Sequence, residues 1–235
     1  LSGDDGAHDA ARLRRRTVSN TGCGTAAEVR GSMGRPRQAI LSPEKIYRAA
    51  LELVDEFGDF TLPGLAKRLS VSPSSIYHHV QGRPEIINGI RSVIGADALA
   101  SGDFFTAGPD WQGRAAAWAR SYRRALGQHA KCIPLLVGEA VTDHATLEIY
   151  EHLAALFVDQ GFSANDVVVA VTVLDNFMLG SALDVAAPES AWLADPDDHP
   201  ALHSAFAGAT LDGPRSDVSF EVGVAAIIEH LSTLL

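Results

Sequence analysis

The sequence predicts an all-α protein in two parts, a small domain of three or four short helices and a larger helical bundle. From Ser42 onward, apolar side chains recur every three or four residues in segment after segment. Helix starts are marked by a short polar residue followed by proline, as at Ser42–Pro43 and Ser72–Pro73. The only strongly β-branched run, within 167–174, has no second convincing strand to pair with. The piece SGDFFTAGPD, over 101–110, breaks the helical chain and sets expected limits of 39–100 and 110–235 for the two domains.

Residues 1–38 are rich in Gly, Ser, Thr, Asp and Arg without an apolar period, which predicts a disordered basic arm. Arg12, Arg14, Arg15 and Arg16 form one arginine cluster there; Arg35 and Arg37 form a second, immediately before the first helix. The first cluster reads more simply as a solvated tail, and Arg35 and Arg37 are better placed for a groove. Met33 is a candidate for the natural start of the chain, since the folded pattern begins soon after it.

Ser42 caps the first helix, on which Ile46, Ala50, Leu53, Val54 and Phe57 trace one face, and Gly58 ends it. A second helix is expected over about 62–69, a third over about 73–79, and a fourth carrying Ile86, Ile87, Ile90, Val93 and Ile94. Beyond the break, Trp111, Ala115, Trp118, Tyr122 and Leu126 share one side of a helix whose other side carries Arg120, Arg123 and Arg124. Another helix spans 144–160 and stops at Gly161. Ser163 with Asp166 then resembles a capping box opening a long apolar helix to about residue 187. Residues 188–215 read as an irregular link with one short helix near 202–207. A last helix over about 217–235 places Phe220, Val224, Ile227, Ile228 and Leu231 together.

With 46% hydrophobic residues the 235-residue chain can build a core. The longest apolar run, Val167 to Leu174, falls far short of the roughly 20 residues of a membrane span, so no transmembrane helix is expected. An N-terminal apolar targeting region is missing, and Cys23 with Cys132 makes no disulfide framework; both observations predict a cytoplasmic protein. The formal net charge is -10, but it is unevenly spread. Residues 1–40 hold seven arginines against four acids, 41–100 hold six basic against seven acidic residues, and the remainder six against eighteen. A basic arm on an acidic body is compatible with DNA binding, which depends on the field at the contacting face. Most of the phosphate attraction would come from the arm.

Residues 65–80, LAKRLSVSPSSIYHHV, read as two helices joined by a tight polar turn, a helix-turn-helix. Leu65, Ala66 and Leu69 face inward; Lys67 and Arg68 do not. Ser72 caps the second helix, and Ser74, Ser75, Tyr77, His78 and His79 crowd short polar and aromatic groups where base edges and phosphates could be reached. The alternatives are that Tyr77 packs beneath helix one, a place Ile76 already serves, and that the two histidines are simply solvent-exposed.

The stretch GRPRQAILSPEKIYRAALELVDEFGDFTLPGLAKRLSVSPSSIYHHVQGRPEIINGI resembles the N-terminal DNA-binding domain of the tetracycline-repressor (TetR) family of bacterial transcription regulators, in motif order and spacing. The remainder, from Trp111, is similar in pattern to that family's helical effector and dimerisation domain. The resemblance implies that Ser74, Ser75 and His78 face bases, that Tyr77 and His79 face phosphates, and that Thr61 supports helix two. With Arg35, Arg37, Lys67 and Ser72 these make the expected DNA-binding set. Leu62 and Pro63 in the first turn of helix two, and Gln81 in place of the usual lysine, depart from the family pattern.

The implied function is a ligand-responsive transcription regulator, a homodimeric repressor released from a palindromic double-stranded DNA operator by a small molecule. The implied dimer interface is a four-helix bundle made by the 163–187 helix and the last helix of each subunit, which Ile228→Glu should break. Trp118, Tyr122, His129, Phe157 and Phe177 suggest an effector cavity for a largely apolar or aromatic ligand, although the same rings could simply fill the core. The alternative is a small-molecule binding or protein-interaction module that has lost specific DNA binding. His144, Glu148 and His152, and His199 with His203, have metal-like spacing without a completing ligand; no metal or other cofactor is expected. Cys132, in KCIPLLVG, reads as buried and inert. No nucleophile elbow, P-loop or dinucleotide fingerprint is present, so no enzyme is expected.

Overall fold

The computed structural model describes residues 41–102, 110–188, 190 and 192–235. The arm, with Arg35, Arg37, Cys23 and Met33, lies outside the described residues, as does most of the break at 101–110. Among the described residues there is no strand.

Ser42 Oγ accepts from the Lys45 N–H at 3.3 Å and starts α1 (Pro43–Phe57); the helix ends where Gly58, at φ 83°, turns left-handed and donates to the Val54 carbonyl. Ile46, Ala50, Leu53 and Val54 are buried as the period predicts, but Phe57 is 67% exposed. The left-handed turn swings the chain back at that point, and Phe60 takes the core position instead.

Thr61 caps α2 (Leu62–Leu69), and Ser72 caps α3 (Pro73–Tyr77). The third helix is shorter than its sequence pattern suggests: His78 and His79 form a turn in which the N–H groups of His79 and Val80 both donate to the Ile76 carbonyl. Gly82 at φ 145° then leads into α4 (Arg83–Ala100).

Helix α4 is buried on nearly all sides because it lies against α1 on one side and the bundle on the other. The sequence break at 101–110 therefore does not divide the core, and buried side chains run continuously from Ile46 to Leu231. The bundle consists of α5 (Trp111–Gln128), a 3-10 turn at Ala130–Cys132, α6 (Ile133–Val137), α7 (His144–Asp159), α8 (Ala164–Val185) and α10 (Arg215–Leu231). The short α9 (Pro200–Gly208) buries no residue within the protomer.

The β-branched run is helical: Ser163 Oγ accepts the Asp166 N–H, and α8 continues for 22 residues. By length and mean hydropathy α8 is apolar enough to cross a membrane, which a count of the uninterrupted apolar run missed. One face, with Val167, Ala170, Leu174, Met178 and Ala182, packs inside the protomer, and Asp175 and Asp184 on the same helix are hydrogen-bonded to Tyr150 and Arg215. The opposite face is bare, with Val168 66% exposed and Val169 and Val173 also exposed. On α10, Phe220, Val224, Ile228 and Leu231 point into the protomer, so Ile228 does not belong to a free face as its period alone suggested. Val222 does, at 67% exposure.

Candidate nucleic-acid interface and ligand cavity

The helix-turn-helix is anchored from below and polar above. Leu65, Ala66, Ile76 and Val80 are buried, so rotating either helix would expose apolar surface. Ser70 holds the turn at φ 55°, and the next N–H, of Val71, reaches back to the Ala66 carbonyl at 3.0 Å, the Schellman pattern usually closed by glycine. Ser72 Oγ accepts the Ser75 N–H at 3.2 Å and lies 2.8 Å from the hydroxyls of both Ser74 and Ser75. Thr61 Oγ1 caps α2 through the Gly64 N–H at 3.1 Å. Both capping residues are thus fixed in place by the backbone they satisfy.

Lys67, Ser72, Ser74, Tyr77, His78 and His79 are each exposed, and Ser75 is partly covered. Tyr77 is 56% exposed and does not pack beneath α1; Ile76 fills that place. Arg68 turns away, pairing with Glu52 at 3.2 Å and Glu56 at 2.5 Å on α1. In place of a lysine side chain after α3, the backbone N–H of Gln81 donates to Glu85 at 2.6 Å. Arg83 donates to the Phe60 carbonyl and to Asp59, and its guanidinium lies 4.5 Å from the centre of the Phe60 ring.

The five residues expected to line one cavity are dispersed. Trp118, 5.5 Å from Tyr122 and 6.1 Å from Tyr150, donates its indole N–H to the Ile149 carbonyl as part of the core. Phe157 packs with Trp111 and Phe162 in a separate cluster. Phe177 stacks on Phe220 beside a groove between α8 and α10. His129 binds Asp55 of α1 at 2.8 Å, and Lys131 beside it donates to the carbonyls of Asp55 and Glu56, tying the end of α1 to the end of α5.

Only Tyr122 borders the cavity of about 180 Å³ between α4, α5, α6 and α8. The remaining lining mixes leucines and valines with Arg91, Glu139, Tyr150, Asp175 and Asn176, none of which the aromatic pattern indicated. Tyr150 Oη donates to Asp175 at 2.5 Å. Burial holds the Asp175 carboxyl above its usual range, against the opposing pull of that hydroxyl and of Arg91. The Tyr122 hydroxyl is pushed up to about 12, chiefly by burial. Cys132 is fully buried and its thiol likewise raised by burial to about 12, an unreactive setting. No group of three His, Cys, Asp or Glu side chains is gathered for a metal among the described residues.

Residues 106–235 match the family model described as Tetracyclin repressor-like, C-terminal domain. The class A tetracycline repressor protein from transposon 1721 of Escherichia coli is 26% identical over 200 residues, covering 82% of this chain and 91% of that protein. An HTH-type transcriptional regulator of Saccharopolyspora erythraea is 26% identical over 180 residues, 75% of this chain and 73% of its own length. Among solved structures, the Streptomyces coelicolor TetR family protein ActR in complex with actinorhodin superposes with a TM-score of 0.67 at 20% identity, over 82% of this chain and 96% of that one. TetR from Acinetobacter baumannii AYE gives 0.64 at 23%, over 83% and 98%. The family model covers more than half of the chain, and the exposed helix-turn-helix stands ahead of the matched bundle; this chain belongs to the tetracycline-repressor-like (TetR) family of transcription regulators.

Proposed function

We propose that the protein is a homodimeric, ligand-responsive repressor, a cytoplasmic regulator and not an enzyme, that binds a palindromic DNA operator. The observation that carries this reading is the exposure of Lys67, Ser74, Tyr77, His78 and His79 on a helix-turn-helix whose Leu65, Ala66, Ile76 and Val80 are buried. Ser74, Ser75 and His78 are assigned to base edges. Tyr77, His79 and Lys67 are assigned to phosphates, and Thr61 and Ser72 to holding both helix starts in position. Arg35 and Arg37 are assigned to the same DNA, from the arm.

Two recognition helices must be held about one helical turn of DNA apart, which requires a second subunit. The bare valine face of α8 and Val222 of α10 supply an apolar surface for a four-helix interface, and exposed apolar surface of that kind marks association. Repression would be relieved when a ligand in the cavity favours a spacing of the recognition helices that no longer fits the operator.

Selection of duplexes from a random DNA library by the purified protein, at near-physiological salt, tests this. A recovered palindrome whose binding weakens steeply with salt is the expected result. No enrichment by folded, dimeric protein would overturn it in favour of a ligand-binding module without DNA specificity.

A further inference from the structure

The acidic side chains of α1 and of the loop after it are matched one by one: Glu44 with Arg48, Glu52 and Glu56 with Arg68, Asp59 with Arg83, and Asp55 with His129. Glu85, in the first turn of α4, is the exception, for among the described residues its carboxylate pairs with no Lys, Arg or His. One oxygen accepts the backbone N–H of Gln81 at 2.6 Å, and the other accepts the Tyr47 hydroxyl at 3.4 Å. Gln81 is exposed and stands two residues after His79, in the turn that carries the chain off the recognition helix. Gly82 caps α4 without a side-chain bond, so Glu85 supplies the contact that this helix start would otherwise lack. The nearest arginines along the helix are engaged elsewhere: Arg83 is held by Asp59 and the Phe60 carbonyl, and Arg91 is buried against the carbonyls of Leu136, Glu139 and Ala140.

We infer that Glu85 is a positioning residue that also limits DNA affinity: its carboxylate fixes the exit of the recognition helix through the Gln81 N–H, and its unpaired charge at that exit repels the phosphate backbone. The inference rests on the proposed DNA-binding function. Two residues span at most about 7 Å, so the carboxylate that holds Gln81 acts on a phosphate at His79 from within the Debye length of about 10 Å at 0.1 M salt. A first-turn acid suits the start of a helix, whose dipole favours it, and opposes a polyanion at the same place. The two demands conflict in one side chain, and its isosteric amide separates them, since glutamine keeps an oxygen for the Gln81 N–H and drops the charge. A complex held below the affinity its contacts allow also needs a smaller change of state to release it.

The test is fluorescence anisotropy of the full-length protein, from low to near-physiological salt, with a labelled operator recovered by duplex selection and a labelled duplex of unrelated sequence. Glu85→Gln is expected to tighten binding to both by about three- to ten-fold at low salt, with the gain shrinking as salt rises. Asp97→Asn removes the same charge twelve residues along α4, about 18 Å away, and is expected to change affinity by less than about two-fold. Glu85→Ala loses both charge and clamp, so its Tm should fall and its operator affinity should stay below that of Glu85→Gln. An unchanged or weakened Glu85→Gln complex, or an equal gain from Asp97→Asn, would overturn the charge argument; operator binding by Glu85→Ala as tight as by Glu85→Gln would overturn the positioning role. Where Glu85→Gln fails to fold, Glu85→Ala against Asp97→Asn on the unrelated duplex carries the charge comparison. An enriched palindrome with no effect of Glu85→Gln sinks only the role of Glu85, whereas no duplex binding by the wild type or any variant sinks the DNA-binding function and this inference with it.

Discussion

A Cβ built on Gly89 of α4 would stand 2.2 Å from Tyr47 Cδ1, 2.3 Å from Cγ and 2.4 Å from Cε1. The Tyr47 ring, on α1, lies flat over the glycine and its hydroxyl reaches Glu85 on α4 at 3.4 Å. Gly89→Ala therefore forces either the ring or the helix pair apart. The ring is half-buried, so leaving costs roughly 100 Å² of apolar burial, about 2.5 kcal/mol; the long hydrogen bond adds a few tenths at most. Against this, alanine is better than glycine inside a helix by about 1 kcal/mol. The net expectation is a loss of about 1–2 kcal/mol. In a Tyr47→Ala background the obstacle is gone, and the same Gly89→Ala change should stabilise the protein by up to about 1 kcal/mol. Urea unfolding of the four variants at one protein concentration measures the cycle, with a coupling of about 2–3 kcal/mol expected. The same sign and size of effect in both backgrounds would refute the close-approach argument for this glycine.

Ser72→Ala should lower stability by about 1 kcal/mol through the lost cap, while Ser72→Asp keeps the cap but sets a negative charge against phosphate; unfolding curves unchanged for Asp and duplex affinity lost would separate the two roles. Val222→Glu, placed on the bare face, should give folded monomers by sedimentation and circular dichroism, whereas Ile228→Glu buries a charge in the protomer and should unfold it; a folded, dimeric Val222→Glu protein would exclude that face as the interface. The raised carboxyl of Asp175 means that the folded state binds its proton more tightly than the unfolded chain does, so this residue's penalty is absent below the unfolded value of about 3.9 and grows as pH rises through the folded one. Asp175→Asn should then gain stability over wild type with rising pH across that window, and a difference constant from pH 3 to 8 would contradict the burial of the charge.

Helix starts and the recognition turn were legible because their causes are local. Ser42, Ser72, Ser163 and Gly58 act on backbone groups three or four residues away, and a 3.6-residue period reports which side of a helix is apolar. That period does not report which neighbour the apolar side meets. Trp118, Tyr122, Phe157 and Phe177 all face inward or half inward, yet they enter three different clusters, because the azimuth of each helix in the bundle is fixed by partners far along the chain. Arg91 was illegible for the same reason. Three of its acceptors lie 45 to 49 residues away, at the end of a five-residue helix and in the turn after it. The two faces of α8 were merged in the sequence, since valines that pack within the protomer and valines that remain bare differ only by position on the turn.

The contacts of α1 define how a change at the cavity can reach the DNA-facing turn. One end of α1 is tied to α5 by His129 and Lys131, through Asp55 and the last carbonyls of the helix. Nearer its start, α1 rests on α4 at the Tyr47–Gly89 contact, two residues from Arg91. The recognition unit is carried by α1, through Arg68 to Glu52 and Glu56 and through the burial of Leu65 and Ile76. On the proposed mechanism, a shift of α4 relative to α5 would move one end of α1 while the other stays tied, turning a translation at the cavity into a rotation of the helix-turn-helix. The His129–Asp55 tie serves as the pivot in this geometry. It is partly exposed and worth about 1 kcal/mol or less to stability, so Asp55→Ala should leave folding and duplex binding largely intact. What it should reduce without abolishing is the dependence of duplex affinity on bound ligand, because this end of α1 is then held only by Lys131 at the carbonyls of Asp55 and Glu56.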